Sequence, residues 1–124
     1  MKTRAVMLCT ILLGAAFFAG CLFVGNIHPI AAFTATPTTG SGTPTTPLTV
    51  TFDPTGSSDP DGTIAEYAWN FGDGNTATTA TLVAVTHDYS VQSGETTVFT
   101  ARLTVTDNEG ATDTEVEDIT VSNP

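Results

Sequence analysis

Ser57–Gly74 reads Ser-Ser-Asp-Pro-Asp-Gly-Thr-Ile-Ala-Glu-Tyr-Ala-Trp-Asn-Phe-Gly-Asp-Gly, and this stretch decides the fold. An acidic Pro/Gly turn leads into aromatics at alternate positions, Tyr67, Trp69 and Phe71. A second tight turn, Gly72-Asp73-Gly74, follows at once. Large apolar residues alternating with small or polar ones put one face of a strand into a core. Trp69 alternates with Tyr67 and Phe71 and therefore belongs to that core rather than to a sugar-stacking surface.

Working outward, Leu48–Asp53 alternates as cleanly, with Leu48, Val50 and Phe52 on one face and Thr49 and Thr51 on the other. Upstream, residues 30–36 read as the first strand, ended by Pro37, which cannot donate to a ladder. Thr38–Pro47 is rich in Thr, Pro, Gly and Ser and reads as a solvated loop. Downstream, Thr76–His87 gives one or two strands, Val98–Asp107 a long one, and Ala111–Val121 the last, with Val116, Ile119 and Val121 apolar. Short β-branched strands at regular spacing predict an all-β sandwich of about seven strands.

Of the 124 residues, the first 25 carry no part of this pattern. They begin Met-Lys-Thr-Arg, and an uncharged run extends from Ala5 to Gly25. A positive start, an apolar stretch and small residues before a cut are the parts of an export signal. Ala19-Gly20-Cys21 is similar to a lipoprotein lipobox, with Phe18 where that motif usually carries Leu, and Cys21 would then be the lipidated residue. The same run is long enough to span a bilayer as an uncleaved helix. Plain secretion is the third reading. All three place the rest of the chain outside the cytoplasm, and two tether it to the membrane.

Formal net charge is −10, yet beyond residue 20 the only basic side chain is Arg102, against all 13 carboxylates. The exported part is therefore near −12. Such a surface repels phosphate backbones, which excludes nucleic acid as a partner. Its acidity fits divalent-cation affinity or solubility in high salt. Both cysteines, Cys9 and Cys21, lie in the N-terminal run, so no disulfide staples the sandwich.

Landmarks spread over nearly the whole exported chain resemble the PKD (polycystic kidney disease) domain family. They are Asn26…Pro29…Ala31, Val50-Thr-Phe52-Asp, Gly56-Ser-Ser-Asp59-Pro-Asp61-Gly62, Tyr67-x-Trp69-x-Phe71-Gly-Asp-Gly74, His87-x-Tyr89 and Leu103-Thr-Val-Thr-Asp107-Asn. The resemblance implies an immunoglobulin-like β-sandwich over residues 26–124, preceded by a signal or anchor segment over 1–25. Two departures stand out. The segment between Tyr89 and Leu103 is longer than is usual for the family, and Phe99 stands where a Tyr is common.

Asp59-Pro60-Asp61-Gly62 is the best candidate site. Two carboxylates one residue apart in a kinked loop can converge on a hard cation. They can equally hydrogen-bond their own backbone. The resemblance implies calcium, with Asn26 as a further ligand and Asp107 as a weaker one. Asp73 reads as a turn residue, and His87 as a strand histidine satisfied by backbone. Nothing in the sequence places a nucleophile and an oxyanion site around His87, Ser57 or Asp88, and His28 stands alone. The expectation is a non-catalytic, membrane-tethered cell-surface module contacting a protein or polysaccharide. The alternative is a structural spacer whose acidity supplies solubility.

Overall fold

A computed structural model describes residues 25–124, so the expected signal or anchor segment, Cys21 included, lies outside the described residues but for Gly25. The described residues form eight strands: β1 (Thr34–Thr36), β2 (Thr39–Ser41), β3 (Leu48–Asp53), β4 (Ile64–Asn70), β5 (Thr76–Thr79), β6 (Val85–Tyr89), β7 (Glu95–Asp107) and β8 (Thr112–Asn123). They form two sheets, ordered β1-β3-β6 and β2-β8-β7-β4-β5. Every pairing is antiparallel except that of β2 with β8.

The alternation read from sequence sets the faces. In β7, Ala101, Leu103 and Val105 point inward and are fully buried, while the intervening Thr and Arg residues face out. In β8, Ile119 and Val121 are buried, but Val116 falls on the opposite parity and is exposed. The β7–β8 hairpin pairs continuously from Glu95↔Asn123 to Thr106↔Thr112, so the extra length before Leu103 becomes ladder rather than loop.

Two expectations need correction. The first strand is shorter than 30–36, beginning only at Thr34, with an isolated Ile30↔Ser58 bridge before it. Thr38–Pro47 is not all loop, because Thr39–Ser41 pairs in parallel with Thr120–Ser122. Nothing apolar in Thr-Gly-Ser announces a strand. Its ladder exists because the edge of β8 supplies partners, a tertiary effect that local pattern cannot show.

Between the sheets lies an aromatic cluster. Trp69 meets the edge of Phe33 at 5.1 Å and 85°. Phe52 packs on Trp69 at 5.6 Å and on Phe71 at 5.3 Å. These tilted and edge-on contacts suit the ring quadrupoles better than face-to-face stacking. The Tyr89 hydroxyl donates to the Phe71 carbonyl at 2.9 Å, tying β6 to the end of β4. Burial pushes the Tyr89 phenol well above its usual range, and the nearby Asp73 charge adds to this.

The turn after Phe71 explains its glycine. Gly72 sits at φ +81°, and a Cβ there would stand 2.6 Å from the Thr100 carbonyl oxygen and 2.9 Å from the Thr100 nitrogen. Both atoms are backbone of β7 and cannot step aside. Next to it, Asp73 does more than turn the chain. Its carboxylate accepts from the Asn75 backbone at 3.0 Å and lies 2.7 Å from His87 Nε2. The His87 ring is stacked on Phe71 at 4.1 Å. Burial pushes the Asp73 carboxyl up, but hydrogen bonds from His87 and Asn75 outweigh it and hold it below the usual range. The histidine is thus satisfied by a side chain, not by backbone.

Tyr89→Phe keeps the ring and removes only the donor to Phe71. The buried carbonyl is left unpaired, so the variant should lose about 1–2 kcal/mol. Urea unfolding followed by Trp69 fluorescence measures this, and an unchanged midpoint would show that the bond contributes nothing.

Candidate functional site

One end of the sandwich gathers the loop before β4, the β7–β8 turn and the first described residues. Asn108 joins the first two: its Oδ1 accepts from the Thr63 backbone at 2.8 Å, and its own N–H donates to the Thr63 carbonyl at 2.9 Å. The N-terminal segment closes over both. Asn26 Nδ2 donates to Asp107 Oδ2 at 2.8 Å, and the Ile27 N–H donates to Asp61 Oδ2 at 3.0 Å. All four candidate residues, Asn26, Asp59, Asp61 and Asp107, therefore fall at one end.

Their situations differ. Asp107 is buried, and both its oxygens are engaged: Oδ2 by Asn26, Oδ1 by the N–H groups of Glu109 and Ala111, each at 2.8 Å. Burial pushes its carboxyl up, but these donors outweigh that and hold it below the usual range. It acts as the anion around which the β7–β8 turn is wound. Asp61 is exposed and spends one oxygen on the Ile27 N–H.

Asp59 is the unsettled member. Its Oδ1 lies 3.4 Å from the Asp61 N–H, the self-bonded loop that local chemistry favours. Its Oδ2 is buried and has no hydrogen-bond partner. A Cβ on Gly62 would lie 2.7 Å from that oxygen and 2.4 Å from Asn108 Oδ1. A side chain there would have to push both of these side-chain oxygens aside. A buried carboxylate oxygen without a donor is costly, and hard-oxygen chemistry of this kind suits calcium. Against that, among the described residues no group of three or more His, Cys, Asp or Glu gathers to hold a metal.

The sequence did not single out Asp113. Its Oδ2 accepts from the Ala31 N–H at 2.8 Å, pinning the N-terminal segment to β8. The available signal was parity, because Asp113 pairs with Val105 and so occupies an inward position of its strand. The Ser57 hydroxyl accepts from the Ala32 N–H at 3.0 Å and donates to the Ala32 carbonyl at 2.8 Å. Asp88 accepts from the Thr49 hydroxyl. Ser57, His87 and Asp88 are thus each bonded elsewhere, not to one another.

Asp107→Asn preserves shape and removes the charge. Because the folded-state carboxyl sits below its unfolded value, its contribution is present above pH ~4 and lost as pH falls through the folded value. The variant should therefore melt earlier than the parent at pH 7, by about 1–2 kcal/mol. The gap should close as pH drops below about 4. Thermal melts across pH 2–7 test this, and a gap independent of pH would refute the assignment.

Comparison with known proteins fits this geometry. The chain is 43% identical over 72 residues to Collagenase ColA of Clostridium perfringens, covering 58% of this chain and 6% of the collagenase. A solved chain from work on the promiscuous specificity of carbohydrate-binding modules of the β-sandwich superfamily superposes with a TM-score of 0.69 at 34% identity. That match covers 81% of this chain and 36% of the other. The PKD1 domain of the Vibrio cholerae metalloprotease PrtV superposes with a TM-score of 0.60 at 36% identity, over 78% of this chain and 100% of that domain. The PKD domain family itself matches residues 26–121. From Asn26 to Val121, this chain belongs to the PKD domain family.

Proposed function

We propose that the chain is a non-catalytic, extracytoplasmic interaction module contacting a cell-surface protein or polysaccharide. The observation that carries this reading is where the side chains are spent. Ser57, Asp73, His87, Asp107 and Asp113 are all committed to holding strands, turns and the N-terminal segment together. What remains exposed among the described residues is broad strand surface made largely of threonine and acid, with Val98 and Val116 among its large apolar side chains. That is the layout of a scaffold presenting faces, with no convergent set for chemistry among the described residues. The likeness to a part of a collagenase, to the PKD1 domain of a metalloprotease and to a chain from work on carbohydrate-binding modules supports the same reading. Activities of those whole proteins do not follow, since the curated relative is matched over only 6% of its length.

Tethering belongs to the proposal as well. Cys21 is the residue for lipidation, with an uncleaved helix as the other anchor. Calcium is the proposed ion, held by Asp59 and Asp61 with Asn26 beside them, while the engaged oxygens of Asp107 fit a supporting role. Bound there, the ion would satisfy the Asp59 oxygen and stiffen the end of the sandwich.

A second reading rests on a specific observation. Among the described residues every aromatic side chain is buried or half-buried, so no exposed aromatic row offers a stacking platform for sugars. That favours a spacer whose acidity supplies solubility, or recognition through hydroxyls and charge.

The two separate in a pull-down on insoluble polysaccharides and cell envelopes, with calcium and with chelator. Retention strengthened by calcium is the expected result, and failure under both conditions leaves the spacer. Independently, millimolar calcium should raise the melting temperature, because a ligand bound to the native state must stabilise it. The rise should vanish in Asp59→Asn. A melt unmoved by calcium would remove the ion from the proposal.

A further inference from the structure

We propose that the free edge of β8 between Thr114 and Asp118 is a strand-addition site for a basic, extended segment of a partner protein. The backbone groups of even-numbered β8 residues point away from β7. The Thr120 N–H donates to the Thr38 carbonyl, the Ser122 carbonyl accepts from Gly42, and the Thr112 carbonyl lies 3.4 Å from His28 Nδ1. By alternation the Val116 N–H and carbonyl, the Thr114 carbonyl and the Asp118 N–H face the same way. No backbone or side-chain partner reaches these groups among the described residues. The open stretch lies between two places where the chain already covers the edge, at Thr112 and at Thr120.

The edge accepts strands, because β2 already adds to it in parallel at Thr120–Ser122. An incoming segment would continue that ladder towards the N-terminus of β8. Free edges are ready templates for another chain, and folded proteins restrict them with charge. Here the restriction also selects. Glu115 and Glu117 project on one face about 7 Å apart, as residues i and i+2 of a strand do. Both are exposed and neither has an ion-pair partner among the described residues. Arg102 cannot serve them, since it faces Val116 across the ladder on the opposite side of the sheet.

A second copy of this chain is a poor occupant. Antiparallel pairing of two such edges about Val116 sets Glu115 against Glu117 twice, and like charges directly opposite destabilise a sheet. A segment with Lys or Arg at alternate positions places cations beside both glutamates. Its intervening apolar residue lies beside Val116, which is 46% exposed. The main chain supplies affinity and the alternate charges supply selection. This narrows the interaction reading above to a protein strand. It stands or falls apart from retention on polysaccharide.

The test uses the full chain in neutral detergent and a short blocked peptide of alternating Lys and Val. The expected result is saturable binding that weakens with salt, with amide exchange slowed at Val116 and Asp118. Glu115→Gln with Glu117→Gln should weaken binding about tenfold. Both glutamates are exposed, so these substitutions leave the core intact. A peptide of alternating Lys and Pro keeps the charge and lacks the donors, and it should not bind. Equal binding of the Lys/Pro peptide, protection elsewhere on the domain, indifference to the Gln substitutions, or no binding at all would each overturn the proposal.

Discussion

The structure depends on the packing of Trp69 between the sheets. Phe33 and Phe52 bring rings from the smaller sheet and its approach, Trp69 and Phe71 from the larger sheet and its margin, and all interlock. In many immunoglobulin-like domains a disulfide crosses the sandwich beside the buried Trp. Here both cysteines lie before residue 22, so the sandwich has no such staple. A typical disulfide stabilises by about 2–4 kcal/mol, and truncating one buried aromatic costs about 3–5 kcal/mol. Several such rings therefore outweigh the missing crosslink.

Charge follows from the same economy of means. With Arg102 as the only Lys or Arg beyond residue 20, buried carboxylates cannot be neutralised by cationic side chains. They are met by hydrogen-bond donors. Asp107 takes backbone N–H groups and an amide, and Asp113 takes the Ala31 N–H. Hydrogen bonds to an ionised acceptor are stronger than neutral ones, so each such acid fixes a turn or a passing segment. The remaining acids stay at or near the surface, where like-charge repulsion favours solubility.

How much of this was legible in the sequence depends on the range of the interaction. Leu48–Asp53 and the Tyr67–Phe71 alternation were readable because a strand's two faces are written into consecutive residues. β2 was not, since Thr39–Ser41 becomes a strand only when β8 lies beside it. At the candidate site, the paired acids of the Asp59–Gly62 loop were visible as local turn chemistry. That Asn26 and Ile27 close over Asp107 and Asp61 was indicated for Asn26 by family resemblance alone. The His87–Asp73 pair was hidden for a different reason. Each residue has an adequate local explanation, and only the approach of β6 to the Gly72–Gly74 turn joins them.

The Asp59 Oδ2 atom, which has no hydrogen-bond partner, and the open stretch of the β8 edge are bordered by one short segment. Residues 26–31 bind Asp107 through Asn26, Asp61 through Ile27 and Asp113 through Ala31. The second contact, with the Ile30–Ser58 bridge, ties down the loop that holds Asp59. The third fixes the start of β8, just before the open stretch. Any displacement of this segment would loosen the candidate cation loop and the margin of the edge together.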